Sequence, residues 1–244
     1  MRGASCLRIL SLLMAVGFNA AAESQVGVTL HEPLPDKHTW EFAPPPIAEG
    51  YSEPALAFVG VPRKYNARGV IADRGNPYLL VATSKITLPA GEYRVLLRSR
   101  WAARLFVNGQ LVAHTDFPKP NANGHESVPD EPVAVDARLR AMPVGHQERL
   151  AARTLEGGAT EFRLEAQVGG QKLRQDLGEL SVSVARGTES FRVIGTAESF
   201  AHDDAHWTKY AEAQRARLVA MNARNRALAG AEETKYWDRR HELV

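Results

Sequence analysis

The sequence predicts an antiparallel β-sandwich followed by a C-terminal α-helical tail. Three observations carry that prediction. Short segments alternate apolar and polar residues with period two, most cleanly from Thr160 to Val168. There Phe162, Leu164, Ala166 and Val168 interleave with Glu161, Arg163, Glu165 and Gln167. Turn residues separate these segments at short intervals with no helical pattern between them, which favours hairpins over parallel strands bridged by helices. After Asp204 the apolar spacing changes to three and four, the period of a helix.

Taken in order, Met1 to Ala22 has the parts of a secretory signal peptide. Arg2 and Arg8 give a positive start, Ile9 to Phe18 is apolar, and Ala20-Ala21-Ala22 offers a small-residue cleavage site. The apolar run is short for a membrane span, so no transmembrane segment is expected. The protein is expected to be exported, to a periplasm or the extracellular space. Its one cysteine, Cys6, lies inside this leader. The mature chain should therefore fold without disulfide, cofactor or metal, and a thiolate metal site or cysteine nucleophile is excluded. The formal net charge is +2, with Lys and Arg dispersed along the chain, which argues against a nucleic-acid partner.

Residues 23–54 are rich in proline and read as an irregular N-terminal arm with at most one edge strand, packed by Trp40 and Phe42. The sandwich is assigned to residues 55–200. Ala55 to Val59 is a short strand, Gly60 to Pro77 is mostly loop around a short Val70-Ile71 strand, and Tyr78 to Thr87 is a longer one. Pro89 to Gly91 turns the chain. From Glu92 onward Tyr93, Val95 and Leu97 point one way, Arg94 and Arg98 the other.

Arg104 to Val107 and Gln110 to Ala113 form a hairpin about Asn108-Gly109, because a type I′ turn needs positive φ at both central positions. That turn sets Phe106 opposite Leu111 and Leu105 opposite Val112. With apolar groups on both faces, the hairpin should be interior to the sandwich. Thr115 to Pro132 is a long polar excursion. Val133 to Leu139 reads as a strand or short helix, and Pro143 to His146 as a turn. Thr160 to Val168, the Gly169-Gly170 turn, Leu180 to Ala185 and Phe191 to Ile194 complete the β region.

Residues 201–244 read as a helical linker. Asp203-Asp204 supplies an N-cap, and Trp207, Ala211, Leu218, Met221 and Leu228 fall on one stripe interrupted by Gln214 and Asn225. Gly230 divides it from a second helix over Glu232 to Leu243. Arg215, Arg217, Arg224 and Arg226 read as a solvated face. No helix-stopping signal precedes Val244, so the chain reads as truncated, the front part of something longer.

The order of motifs resembles a known arrangement. Asn76-Pro77-Tyr78, Leu88-Pro89-Ala90-Gly91-Glu92-Tyr93-Arg94-Val95 and Arg104-Leu105-Phe106-Val107-Asn108-Gly109 are similar to the core of protective-antigen-type β-sandwich domains of the jelly-roll kind. Gly124-His125-Glu126, Gly145-His146-Gln147-Glu148, Val168-Gly169-Gly170-Gln171-Lys172, Leu177-Gly178-Glu179-Leu180 and Tyr236-Trp237-Asp238-Arg239-Arg240 extend the likeness. In that order they resemble the front region of large exported planctomycete and verrucomicrobial proteins. Those combine such a sandwich with a cytochrome c domain and planctomycete-specific domains of unknown function. The resemblance implies a binding module joined to downstream domains of the parent chain, with carbohydrate or another extracellular polymer as partner. Sugar-binding members carry a paired-aspartate calcium motif after the strand that ends in serine. Here Ser99-Arg100-Trp101-Ala102 has no carboxylate.

Two places offer ligand-binding chemistry. Trp101, between two strands, has the shape of a sugar-stacking platform. Asp116, Asn121, Asn123, His125 and Glu126 gather carboxylate, amide and imidazole in one loop, the donor types of an oxygen-rich calcium or sugar site. Core packing for Trp101 and an ordinary solvated loop are the plainer alternatives. His202-Asp203-Asp204-Ala205-His206 reads as a helix cap and not as a metal site. There is no nucleophile elbow and no phosphate loop, so no catalytic residue is assigned. The sequence thus predicts a non-catalytic binding module. A structural spacer and a small secreted hydrolase are the alternatives.

Overall fold

The computed structural model describes residues 26–35, 38–43, 45–119, 133–170, 173–195 and 199–241. The strands in chain order are β1 (Val26–His31), β2 (Ile47–Glu53), β3 (Ala57–Phe58), β4 (Lys64–Tyr65) and β5 (Ile71–Ala72). They continue with β6 (Tyr78–Leu88), β7 (Gly91–Ser99), β8 (Ala102–Val107), β9 (Gln110–His114) and β10 (Gln147–Leu155). Then come β11 (Gly158–Val168), β12 (Leu180–Arg186), β13 (Arg192–Val193) and β14 (Phe200–Ala201), followed by one helix, α1 (Asp204–His241).

Two antiparallel sheets face each other. The first has six strands in the order β2-β1-β6-β11-β8-β9, the second runs β10-β7-β12-β13-β14 with β3 beside β12. Alternation builds the core. Val28, Leu80, Leu164 and Leu105 of the first sheet meet Val95, Leu97, Val182 and Val184 of the second in one apolar cluster. The other face of the second sheet is covered as well. Leu96, Ala185 and Phe191 pack there against Leu139 of the 133–146 segment. The outward face of the first sheet is less covered, and it carries the candidate site.

The Asn108-Gly109 turn has φ of 48° and 77°, as its sequence predicts. It is also tied to β11. The Asn108 N–H donates to the Glu161 carbonyl, and the Glu161 N–H donates to Asn108 Oδ1, both at 2.9 Å. A Cβ added at Gly109 would meet nothing within 4 Å. Gly109→Val should therefore cost only backbone strain, about 1–2 kcal/mol, seen as a melting temperature lower by roughly 2–8 °C. An unchanged value would rule out the positive φ.

Several expectations are corrected. Phe106 pairs with Leu111, but a bulge after Leu105 sets Leu105 opposite Ala113 and not Val112. The return strand β9 lies at the sheet edge, with Leu111 48% exposed, so the hairpin is not interior on both sides. The proline-rich arm is not irregular throughout: β1 is an inner strand between β2 and β6. Val133 to Leu139 forms bends and turns, neither strand nor helix. The strand β10 has no counterpart in the sequence reading.

The helix is continuous through Gly230. A single glycine costs about 1 kcal/mol in a helix, too little to stop one flanked by alanines. The apolar stripe of α1 docks on the second sheet through Trp207. Trp207 and Tyr210, with Phe200, cover Ala55, Ala57 and Val193. Gln214, which reads as an interruption of the stripe, is fully buried. Its Oε1 accepts from the Val59 N–H at 2.6 Å and its Nε2 donates to the Ala57 carbonyl at 2.9 Å. Further along, Arg217 pairs with Glu53 at 3.0 Å, and Asn222 and Asn225 bond the Arg63 N–H and Glu49. Polar side chains thus satisfy backbone groups at the β3 margin that no neighbouring strand reaches.

Candidate functional site

Of the sequence-predicted ligand residues, Trp101 and Asp116 are among the described ones. Trp101 is buried, 1% exposed, within the main core. Its Nε1–H donates to the Asp176 carbonyl at 2.7 Å. The tight corner between β7 and β8 folds the indole inward, so its ring offers no stacking face, which corrects its proposed role. Asp116 is exposed and clamped. Its N–H and C=O exchange hydrogen bonds with the Gln147 amide at 2.9 Å each, and its Oδ2 accepts from Arg149 at 2.8 Å. Asn121, Asn123, His125 and Glu126 lie outside the described residues.

The Asp203 cap forms, its Oδ1 accepting from the His206 N–H at 2.9 Å. His206 is exposed while His202 is buried, so the two rings do not converge.

A hydrogen-bonded serine, histidine and carboxylate do occur together. Ser183 Oγ lies 3.0 Å from His202 Nδ1, and His202 Nε2 lies 3.4 Å from Glu179 Oε1. All three residues are buried, at 0%, 2% and 4% exposure. A nucleophile that no substrate can reach does no chemistry, so this line is structural. It belongs to a buried ionic cluster. Arg98 bonds Glu148 through Nε and Nη2 and faces Glu179 at 3.4 Å, and Arg140 also bonds Glu179. Burial pushes the Glu179 carboxyl up, but the His202 hydrogen bond and the Arg98 and Arg140 guanidinium groups outweigh it and hold it at about 2. Burial likewise pushes His202 down, only partly countered by Glu179.

The open chemistry lies on the outward face of the first sheet. Antiparallel register aligns Thr29, Val81, Glu165 and Arg104 across four strands, and sets Arg163 beside Phe106 in the next row. The 38–43 segment crosses this face. Its Thr39 carbonyl accepts from Gln167 Nε2 at 2.5 Å, which stations Trp40 and Phe42 over the sheet. The result is a cleft of about 320 Å³ walled by Trp40, Phe42 and Phe106, with Val81 and Leu79 on its floor and His31, Arg104, Arg163 and Glu165 around it.

Polar contacts fix the walls of this cleft. Arg104 lies over the Trp40 ring with Cζ 4.1 Å from its centroid. Its Nε and Nη2 donate to Glu165 Oε2 at 3.0 and 2.6 Å. Arg163 reaches the other oxygen of Glu165 at 2.6 Å. Both nitrogens of His31 are engaged, Nδ1 donating to the Pro45 carbonyl and Nε2 facing the Thr29 hydroxyl, each at 2.9 Å. Phe117 stacks on His38 and tilts against Trp40, so the chain enters the Asp116–Glu126 loop from the rim of this cleft.

None of the cleft residues is among those predicted to bind a ligand, although Trp40 and Phe42 stand out as packing groups. Their i, i+2 spacing between prolines is the one signal available, because in extended chain it points both rings the same way.

The described fold is a two-sheet sandwich with an aromatic, arginine-lined cleft on one outer face. The sequence matches no protein-family model and no curated protein sequence. Among solved structures it is similar to the PA14 domain of the MpAFP antifreeze protein, at 11% identity over 74% of this chain and 91% of that one, with a TM-score of 0.43. It is similar to a PA14 sugar-binding domain from an RTX adhesin, at 13% identity over 73% and 98%, with a TM-score of 0.41. It is also similar to a β-glucosidase from Kluyveromyces marxianus, at 11% identity with a TM-score of 0.40, covering 66% of this chain and 16% of that enzyme's length.

Proposed function

We propose that the protein is a non-catalytic binding module of a larger exported protein, and that its ligand is a carbohydrate chain. The glycan lies across the outward face of the first sheet, under Trp40 and Phe42. The single observation that carries this reading is the cleft itself. Sugar rings present apolar C–H faces rimmed by hydroxyls, and half-buried aromatic rings beside guanidinium donors complement both parts. A spacer would need no such partly open aromatic face. The Met1–Ala22 leader and a continuation into cytochrome c and planctomycete-type domains belong to the same proposal.

A glycan array followed by calorimetric titration tests it. Trp40→Ala should weaken binding of any glycan found by about tenfold or more, while the far-ultraviolet spectrum stays that of the folded β protein. If no glycan binds reproducibly, or if Trp40→Ala binds as the wild type does, this face is not the site.

A further inference from the structure

We infer that the aromatic cleft selects an anionic glycan, one whose sugar rings carry carboxylate groups. The inference rests on the carbohydrate reading above and names the class of sugar. It follows from counting donors and acceptors in the cleft.

Glu165 is the carboxylate of the cleft lining, and it is buried, 4% exposed. Both its oxygens are taken, Oε2 by Arg104 and Oε1 by Arg163. It can accept little more from a ligand. His31 has both nitrogens occupied. The floor and the aromatic walls supply no acceptor apart from ring faces.

The donors are in surplus. The Arg163 side chain is 51% exposed and makes one ion pair through Nη2, which leaves Nε and Nη1 without a partner among the described residues. Arg104 uses Nε and Nη2 on Glu165 and keeps Nη1. Two guanidinium groups against one carboxylate leave the cleft with one net positive charge.

A neutral sugar hydroxyl is donor and acceptor at once, and it is best matched by mixed partners such as a carboxylate or amide. This cleft offers spare donors and net positive charge, which match a carboxylate. A planar guanidinium meets a carboxylate with two parallel hydrogen bonds. Arg163 is the better placed of the two, since Arg104 is held against Trp40 and Glu165. The aromatic walls then serve the apolar face of the same sugar ring.

The test uses matched ligands on the full chain. Hexasaccharides of galacturonate, glucuronate and mannuronate are titrated beside the same hexasaccharides with each carboxylate reduced to the alcohol. At least one uronate form should bind about tenfold or more tighter than its reduced counterpart, with affinity falling as salt rises. Arg163→Gln should remove that preference, weakening the uronate form far more than the reduced form. Arg163→Lys, which keeps the charge but not the fork, should retain part of it. Trp40→Ala should weaken both forms.

Equal binding of the uronate and reduced forms, or a preference that survives Arg163→Gln, would overturn the anionic reading and leave the carbohydrate reading standing. Failure of every member of both series to bind would overturn the anionic reading, and the carbohydrate reading falls with it when the glycan array also yields no ligand.

Discussion

Replacing Arg98 by methionine is expected to cost about 3–5 kcal/mol of folding stability. Arg98 points outward from β7, the middle of three long strands, yet it is fully buried. Antiparallel register sets Glu148 of β10 directly opposite it. Glu179 enters from the residue before β12, and the carbonyls of Arg140 and Ala141 complete the fork at 3.1 and 3.4 Å. Arg98 thus joins two neighbouring strands to the 133–146 segment that lies on them.

Methionine fills much of the volume and supplies no charge, so Glu148 is left buried without its guanidinium partner. That desolvated carboxylate, more than the lost contact, sets the magnitude. Adding Glu148→Gln to Arg98→Met should recover part of the loss, because the stranded charge is gone. Urea unfolding of the single and double variants gives both numbers. A cost below about 1 kcal/mol for the single variant would mean that water reaches and screens the cluster.

Acid should weaken the fold in a second, separable way. Glu179 is held at about 2 in the folded chain, against an ordinary value of 4.5. A carboxyl depressed by folding contributes stability that is present above the unfolded value and lost as the pH falls through the folded one. The window is therefore about 4.5 down to 2, and the whole linkage amounts to about 3 kcal/mol. His202, pushed down by burial, acts in the same sense below 6.5, since the unfolded imidazole takes a proton that the folded one resists. Glu53 runs the other way. Burial raises it, only partly countered by Arg217, so its contribution is full below 4.5 and is lost as the pH rises above that.

Below 4.5 Glu179 is the most buried of the lowered carboxyls. Asp136, held at about 2 by its hydrogen bonds from Arg138, and Asp203, lowered by hydrogen bonds from His206, act in the same sense from 3.8 but are screened by solvent. Between about pH 5 and about pH 3 the Glu179 share of the loss is roughly 2 kcal/mol. Glu179→Gln should be less stable at neutral pH and should flatten the pH dependence in that interval. If wild type and variant lost stability in parallel, Glu179 would not be the group that titrates.

Much of the sandwich is legible in the sequence, for a physical reason. β6, β7, β11 and β12 each bury one face of alternating apolar residues, and alternation is what a sequence displays. β10 escapes notice because it is an edge strand whose Gln147-Glu148-Arg149-Leu150-Ala151 run is mostly polar, with Glu148 buried only by virtue of Arg98. β1 does alternate, Val26, Val28 and Leu30 being buried, but the prolines that follow hide it. On the helix the polar Gln214 takes a position that reads as apolar. Its partners, the backbone of Ala57 and Val59, lie far away in sequence and leave no periodic trace.

The candidate site is less legible still. Trp40, Arg104, Phe106 and Arg163 come from three separate stretches, and only the pairing of β8 with β11 and the crossing of the 38–43 segment brings them together. Trp101, the aromatic that the sequence favours, faces the opposite way. Nothing in the spacing of Ser99-Arg100-Trp101 reveals that the corner turns inward.

The central claim is that a glycan binds on the outward face of the first sheet, and nuclear magnetic resonance tests it most directly. Amide and indole shifts of isotopically labelled protein are followed as the tightest-binding uronate hexasaccharide is added. The account predicts that the Trp40 indole and the amides of Val81, Arg104, Phe106 and Arg163 move together along one binding curve, with the Trp101 indole unmoved. Shifts confined to the Asp116–Glu126 loop or to the second sheet, with the Trp40 indole unchanged at saturation, would contradict it.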